Sequence, residues 1–422
     1  MSDATDPLLT DARLADQYET YPYPRRDPKD EAKRLIVGSP SHLVEIDHWV
    51  FGATRPADRP LRALFAGGGT GDGTIMLAQQ MAQRNRPGTV TWLDRSSASL
   101  AIARSRVEAR KLTNVIWEQR SILDLPGSGL EPFDYIDCCG VLHHLPDPAA
   151  GLRALTSVLA PGGGMGLMVY APHGRTGVYM LQEALRLLAP PDRPPAERLD
   201  VARRVMKHLP DTAWLRNNRN FDDHVNGGDA GLYDLLLNPR DRAFTVPDFH
   251  ALLSDAGLSV ACWVEPIRYD PIPLLPDPRL RARAEALAPL ARAALAEALA
   301  GNMSVHIVYV TRAGQEPARA DPFADDAVPI CREVTGETLA RSIGADGTMI
   351  LGVDGLRIPV PVPPQAGAIM RLIDGRRTVR QIGAELAGRG IKEDAFRRAW
   401  QATFAAMERV NRVLLAPPPS AG

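Results

Sequence analysis

The stretch FAGGGTGDGT at residues 65–74 contains five glycines between two apolar segments. The apolar segment RALFA that leads into it predicts a buried strand, and TIMLAQQMAQ at its end predicts a helix. Glycine costs backbone entropy in ordered structure, so a cluster of this density is typical of a turn whose backbone passes close to a ligand. The stretch therefore predicts a strand–turn–helix unit with a ligand site at the turn.

Strand and helix patterns alternate along the chain after this turn. The predicted strands are 62–66, 89–94, 114–119, 133–140, 164–171, 260–266 and 303–311, and the predicted helices are 74–84, 96–111, 148–159 and one within 244–258. This alternation predicts an α/β fold with a Rossmann-like, doubly wound seven-stranded sheet. The last two strands follow one another without the usual crossover, so we expect the last strand to be antiparallel. Ligands of such sheets bind at the carboxyl ends of the strands.

Composition changes divide the rest of the chain. The expected parts are an N-terminal helical arm (1–60), a main domain (61–312) with inserted covers at 172–243 and 267–302, a polar linker (313–327), and a small winged-helix-like C-terminal domain (328–418). Two prolines and many charges in the linker predict that the two domains fold independently.

The overall charge and the cysteines exclude several classes of function. The formal net charge is −1, so no global basic field attracts nucleic acid. Mixed charges in the C-terminal domain favour a protein partner over DNA. A homodimer is one of the oligomeric states that the sequence allows. The four cysteines lack metal-site spacing, and no signal peptide or membrane-length apolar run is present, so we expect a cytoplasmic protein without a metal site or membrane insertion.

The glycine spacing distinguishes between ligands. A dinucleotide fingerprint, G-x-G-x-x-G, would require a glycine at Asp72 or at Thr74, and no phosphate-binding P-loop lysine follows. The arrangement Gly67-x-Gly69-x-Gly71 instead resembles the turn of class I S-adenosylmethionine-dependent methyltransferases. The resemblance continues through residues 61–170, with an acid ending the second strand, the segment RSILDLP (120–126) and the segment FDYIDCCGVLHHLPDP (133–148).

This resemblance implies S-adenosyl-L-methionine as the cofactor and a set of contact residues. The implied cofactor-binding residues are Gly67, Gly69, Thr70, Gly71, Asp94, Arg95, Ser121, Ile122, Cys139, Gly140 and His144. Two positions depart from the family pattern. Phe65 stands where the family commonly has an acidic residue. Ser121 stands where the family commonly has an aspartate beside the adenine amino group. The methionyl ammonium then needs another acceptor, for which Asp72 and a backbone carbonyl are the alternatives.

The N-terminal arm carries a second resemblance. QYETYPYPRRDP (17–28) and SPSHLVEIDHWVFG (39–52) are similar to the entry segment of a bacterial multidomain methyltransferase group that includes protein lysine methyltransferases. The proline at 22 and the one at 24 favour an extended segment, which would direct Tyr21 and Tyr23 to one side. These tyrosines either close over the cofactor or pack the arm on the sheet.

A polar loop, 222–234, is the other candidate for acceptor recognition. Its Asp229 and Tyr233, with Tyr21 and Tyr23, form the predicted catalytic set, because an aromatic and acidic lining suits a lysine side chain. A solvated loop is the alternative interpretation. His143 and His144 are interpreted mainly as turn-stabilising residues.

The sequence thus predicts methyl transfer from S-adenosylmethionine to a nucleophilic acceptor, with a protein lysine amine as the first choice. A small-molecule O- or N-methyltransferase is the alternative enzyme. A non-catalytic S-adenosylmethionine-binding regulatory protein is the third hypothesis. We expect the C-terminal domain to capture the substrate, and therefore expect its removal to leave cofactor binding intact.

Overall fold

A mixed sheet of seven strands organises the fold, and the computed structural model describes residues 7–218 and 226–418. The strands are β1 (Leu61–Ala66), β2 (Gly88–Asp94), β3 (Val115–Gln119), β4 (Phe133–Cys139), β5 (Leu159–Tyr170), β6 (Leu258–Trp263) and β7 (Val305–Arg312). Their spatial order is β3-β2-β1-β4-β5-β7-β6, and β7 is antiparallel to both of its neighbours. The doubly wound α/β sheet with an antiparallel last strand is therefore confirmed.

Helices cover both faces of this sheet. In the arm and the main domain they are α1 (Pro7–Thr20), α2 (Leu43–Glu45), α3 (Asp72–Gln83), α4 (Ser97–Ala109), α5 (Pro148–Ser157), α6 (Val178–Leu188), α7 (Pro195–Lys207), α8 (Trp214–Asn217), α9 (Gly228–Leu236), α10 (Val246–Asp255), α11 (Pro278–Glu285) and α12 (Pro289–Ala300). On one face, Leu77 of α3 packs in a core with Phe65, and on the other, Leu152 of α5 packs in a core with Leu64. The alternation of side chains along β1 thus supplies both cores.

The first cover has a small apolar core of its own. Leu185 of α6, Leu199 of α7 and Leu232 of α9 are buried together. The polar stretch expected to be a loop is helical over Gly228–Leu236, while its residues 222–225 lie outside the described part of the chain. Across the two described ranges, every helix is too short or too polar to cross a membrane.

The C-terminal region is built from two short sheets and four helices. Its elements are β8 (Pro329–Cys331), α13 (Gly336–Arg341), β9 (Thr348–Val353), β10 (Leu356–Pro361), α14 (Ala366–Arg371), α15 (Val379–Ala387), α16 (Glu393–Arg409) and β11 (Val413–Leu415). β9 and β10 form a hairpin, and β8 pairs antiparallel with β11. The winged-helix assignment of this region stays a prediction.

The C-terminal region shares a core with the main domain. Ile330 of β8 and Leu414 of β11 are buried in the same cluster as Leu43 and Trp49 of the arm. The Trp49 Nε1–H donates to Asn411 Oδ1 at 3.1 Å, and the Ala320 N–H in the linker donates to the Gly52 carbonyl at 2.8 Å. The expectation that the two parts fold independently stays a prediction, and separating them would expose this apolar surface.

Candidate active site

The glycine-rich turn lies between β1 and α3, at the carboxyl end of the sheet. Gly67, Gly69 and Gly71 have φ values of +80°, +49° and +99°, in the region that favours glycine. A Cβ at Gly67 would lie 2.3 Å from Val141 Cγ2, whereas at Gly69 the nearest atom outside the turn is the Tyr23 carbonyl oxygen at 3.4 Å. Gly67 is thus required by packing inside the protein, and Gly69 is the glycine with an open side.

Asp94 ends β2 and faces this turn. Its Oδ2 accepts the Gly69 N–H at 2.8 Å, and its Oδ1 accepts the Ser96 N–H at 3.0 Å. Burial raises the pKa of this carboxyl group above its ordinary value. Each oxygen keeps a lone pair that can accept a ribose hydroxyl, so the open turn and this carboxylate fit S-adenosylmethionine.

Other implied cofactor residues lie along the same edge of the sheet. The Ser121 hydroxyl caps a 3₁₀ turn at Ile122–Asp124, directly after β3. Cys139 ends β4, and the Gly140 N–H donates to the Met168 carbonyl at 3.1 Å. Burial raises the pKa of the Cys139 thiol well above its ordinary value, so it remains protonated and is a poor nucleophile.

Three implied cofactor residues have side chains that contact other parts of the protein. The Thr70 hydroxyl donates to the Pro24 carbonyl at 2.9 Å, and the Arg95 guanidinium pairs with Asp11 of α1. His144 Nδ1 lies 2.6 Å from the Arg240 carbonyl. The first two contacts hold the N-terminal arm over the turn, which agrees with the predicted lid.

Asp72 does not serve as a free acceptor for the methionyl ammonium. Its carboxylate pairs with Arg26 of the arm at 2.6 Å and with Arg106 of α4 at 2.7 Å. These two cations lower the pKa of Asp72 despite its burial. Because both arginines already compensate this charge, Asp72 contributes to closure of the arm instead.

A buried carboxylate that the sequence reasoning missed lies beside Phe65. Asp137 of β4 is in register with Phe65 of β1, and its Oδ2 accepts a hydrogen bond from the Ser41 hydroxyl. Burial raises the pKa of Asp137 to about 7. The family commonly has an acidic residue at the β1 position that Phe65 occupies. In this protein the acidic residue lies on the neighbouring strand, β4, directly beside that position.

The predicted catalytic set is not brought together. Tyr21 stacks on Tyr233 with ring centroids 5.2 Å apart, and the Tyr233 hydroxyl accepts from Arg198. This pair belongs to the core of the first cover. Asp229 is half exposed and pairs with Arg203 at the surface, so these contacts do not support the prediction that it lines the acceptor site, which stays a prediction.

Asp234, on the same helix as Asp229, is instead the centre of a buried polar cluster. Its Oδ1 accepts from the Tyr18 hydroxyl at 3.0 Å, from Gln17 Nε2 at 3.3 Å and from Asn238 Nδ2 at 3.3 Å. Its Oδ2 has one longer contact, 3.4 Å from the Tyr170 hydroxyl at the end of β5. Asp234 is 4% exposed, and residues of the arm lie over it.

Aromatic residues surround this cluster. The His143 ring stacks on Tyr170 with centroids 3.8 Å apart, and burial lowers the pKa of His143 well below its ordinary value. Burial and the neighbouring Asp234 raise the pKa of Tyr170 well above its ordinary value, and Tyr23 raises it further. His143 is therefore a neutral packing residue, and Tyr23 is the predicted catalytic residue that lies near the cluster.

Within residues 7–218 and 226–418, no group of three or more histidine, cysteine or acidic side chains is arranged to hold a metal ion.

Comparisons with known proteins agree with this geometry. A methyltransferase domain family model matches residues 64–165. An uncharacterized protein of Synechococcus is 31% identical over 260 residues, which cover 60% of each chain. A ubiquinone biosynthesis O-methyltransferase of Alkalilimnicola ehrlichii is 31% identical over 137 residues, covering 32% of this chain and 51% of that protein. The chain thus spans 60% or less of the length of these curated relatives.

A solved structure shares the fold over most of the chain. PKMT2 from Rickettsia typhi superposes with a TM-score of 0.64 at 14% identity, covering 90% of this chain and 76% of that one. Its complex with AdoHcy gives a TM-score of 0.63. The sheet order, the glycine turn facing Asp94 and the family match over residues 64–165 together support a methyltransferase domain of the class I S-adenosylmethionine-dependent type in this chain.

Proposed function

We propose that the protein transfers a methyl group from S-adenosylmethionine to the side-chain amine of a protein lysine. Bound S-adenosylmethionine supplies a methyl group activated by the sulfonium. In the transfer a nitrogen–carbon bond forms, the sulfur–carbon bond breaks, and the amine loses a proton. The residues of the site therefore have to position the amine and receive that proton.

The observation that carries this proposal is the uneven bonding of Asp234. Among residues 7–218 and 226–418, three donors converge on Oδ1, whereas Oδ2 has only the 3.4 Å contact with Tyr170. A buried carboxylate oxygen with free lone pairs is suited to a cationic or polar N–H donor. The rings of Tyr18 and Tyr170 add faces that attract a cation.

A lysine amine also needs help to lose its proton. With a reference pKa of about 10.4, only about one lysine in a few thousand is neutral at pH 7. Asp234 is placed to hold the ammonium group and to receive its proton as the general base, either directly or through the Tyr18 or Tyr170 hydroxyl, each of which donates to its carboxylate. Excluding water beneath the arm strengthens each of these electrostatic interactions.

The fold neighbour supports the choice of a protein acceptor. PKMT2 is a Rickettsia protein lysine methyltransferase, and its likeness extends over 90% of this chain. We propose that the C-terminal region contributes to substrate capture.

A small-molecule O- or N-methyltransferase is the second candidate. The ubiquinone biosynthesis O-methyltransferases match the chain in part, and their named product is a small molecule. A phenol or catechol hydroxyl could also donate to Asp234.

The experiment that separates these candidates uses recombinant protein, bacterial lysate and radiolabelled S-adenosylmethionine. We expect label in the acid-precipitated polypeptide fraction. Label confined to the small-molecule extract would support the second candidate, and the absence of transferred label despite cofactor binding would support a non-catalytic binding protein.

The role of Asp234 is tested by Asp234→Asn, with Asp229→Asn on the same helix as the matched control. We expect Asp234→Asn to lower kcat/KM by about 10²–10⁴-fold, the range of general acid–base effects, with unchanged cofactor affinity. Asp229→Asn should keep wild-type rates because Asp229 is half exposed. Equal rates in both variants would contradict the assignment.

A further inference from the structure

A second concave site lies away from the Asp234 cluster, where the arm, α3 and the C-terminal region meet. The cavity has a volume of about 730 Å³. Its walls come from residues 34–37 of the arm, from the end of α3, and from the end of β8 and the residues that follow it (331–335). This volume is in the range of small-molecule sites, about 300–1,000 Å³.

The cationic side chains of this cavity are not neutralised by the acidic ones. Arg26 pairs with Asp72, and Glu333 pairs with Arg332. Within the described ranges, Arg34 and Arg84 form no salt bridge or side-chain hydrogen bond. Both side chains are exposed, and Arg84 also interacts electrostatically with the Asp47 carboxylate. The two guanidinium groups line one cavity and favour an anionic ligand.

His42 provides a donor in the same cavity. It is 7% exposed, and its Nδ1 accepts the Val44 N–H at 3.3 Å. Because Nδ1 accepts, the neutral ring carries its proton on Nε2, for which the described residues provide no hydrogen-bond partner. Burial and the charges of Arg332 and Arg84 lower the pKa of His42 to about 3. The ring is thus a neutral donor in a positive field.

We propose that this cavity binds a phosphate-bearing small molecule, with Arg34, Arg84 and His42 as the phosphate donors. A phosphate group offers more acceptor oxygens than a carboxylate, which suits three donors carried by separate elements. Leu35, Val37 and Val334 supply an apolar wall for an organic substituent. The site is separate from methyl transfer and does not depend on the acceptor.

The test is calorimetric titration of the full chain with phenyl phosphate, inorganic phosphate and benzoate. We expect saturable binding of phenyl phosphate at one site, weaker binding of inorganic phosphate, and no measurable binding of benzoate. Tighter binding of inorganic phosphate than of phenyl phosphate would assign the site to the free anion. No saturable binding of either phosphate compound would overturn the proposal.

Two variants and a control locate the binding. Arg84→Gln should weaken phenyl phosphate by about tenfold or more, the loss of one charge-assisted hydrogen bond. His42→Asn keeps an acceptor for the Val44 N–H but removes the Nε2 donor, and should weaken binding with native circular dichroism. Arg193→Gln changes an exposed arginine of the first cover. Equal weakening by Arg84→Gln and Arg193→Gln would show non-specific attraction and contradict the site.

Discussion

The ion pair between Arg332 and Glu45 predicts how strongly the C-terminal region stabilises the main domain. The two side chains are 5% and 0% exposed. Glu45 also accepts from Ser39, Tyr309 and Asn411. Removing Arg332 would leave a buried carboxylate without its compensating charge, and breaking such a pair costs about 3–5 kcal/mol. We expect Arg332→Met to lower the free energy of unfolding at pH 7 by an amount toward the lower end of that range, because three neutral hydrogen-bond donors to Glu45 remain.

The pH dependence of the stability lost in Arg332→Met provides a second readout. Burial raises the pKa of Glu45 above its ordinary value even with Arg332 present. Without the arginine this pKa rises further, so the folded variant retains a proton that the unfolded chain releases. The deficit of Arg332→Met should therefore grow as pH rises from 5 to 8 and shrink as pH falls.

Urea unfolding followed by tryptophan fluorescence measures both effects. The double variant Arg332→Met/Glu45→Gln should recover much of the loss, because the uncompensated charge is gone. The control Arg341→Met removes an exposed ion pair with Glu337 and should leave the midpoint unchanged. A loss below about 1 kcal/mol for Arg332→Met, or two separate unfolding transitions in the wild type, would refute the shared core.

Three further predictions concern the cofactor edge of the sheet. Asp94→Asn should weaken S-adenosylmethionine by at least about tenfold in calorimetry, because a charge-assisted acceptor is lost; an unchanged Kd would contradict its placement. Gly67→Ala should destabilise the fold by about 2–4 kcal/mol, because its Cβ would lie 2.3 Å from Val141 at a φ of +80°, and Val141→Ala should partly restore the melting temperature. Burial raises the pKa of Asp137 to about 7, so the contribution of this group to the free energy of unfolding should fall as pH rises from 4 to 8. In denaturation experiments at several pH values, Asp137→Asn should reduce the change in the free energy of unfolding between pH 4 and pH 8 by roughly 3–4 kcal/mol. The same pH dependence in the wild type and the variant would contradict this prediction.

The sequence predicted the sheet well because its signals are local. Apolar runs and glycine turns marked every strand of the main sheet to within a few residues. The largest difference is the start of β5, at Leu159 rather than residue 164. The stretch APGGG (160–164) is typical of a turn, and it forms an irregular part of the strand in which Gly162 has a φ of +72° and the pairing with β4 shifts register. Asp94 could likewise be placed from its position at the end of a strand.

The acceptor site could be predicted only in part. The polar stretch that contains Asp229 and Asp234 was singled out, but as a loop, so no face could be assigned. In a helix of 3.6 residues per turn, five residues rotate the side chain by about 140°, which places the two carboxylates on nearly opposite faces. Tyr18 and Tyr170 meet Asp234 only through tertiary packing, for which a single sequence carries no local signal. The Arg332–Glu45 pair was missed for the same reason.

The identity of the methylated side chain tests the central claim most directly. Polypeptide labelled by the wild-type protein with radioactive S-adenosylmethionine would be hydrolysed in acid and its amino acids separated. We predict that the label elutes as methyllysine and falls by about 10²-fold with Asp234→Asn but not with Asp229→Asn. Label that elutes as methylarginine or is released as methanol from a methyl ester, or that remains with small metabolites, would contradict the account.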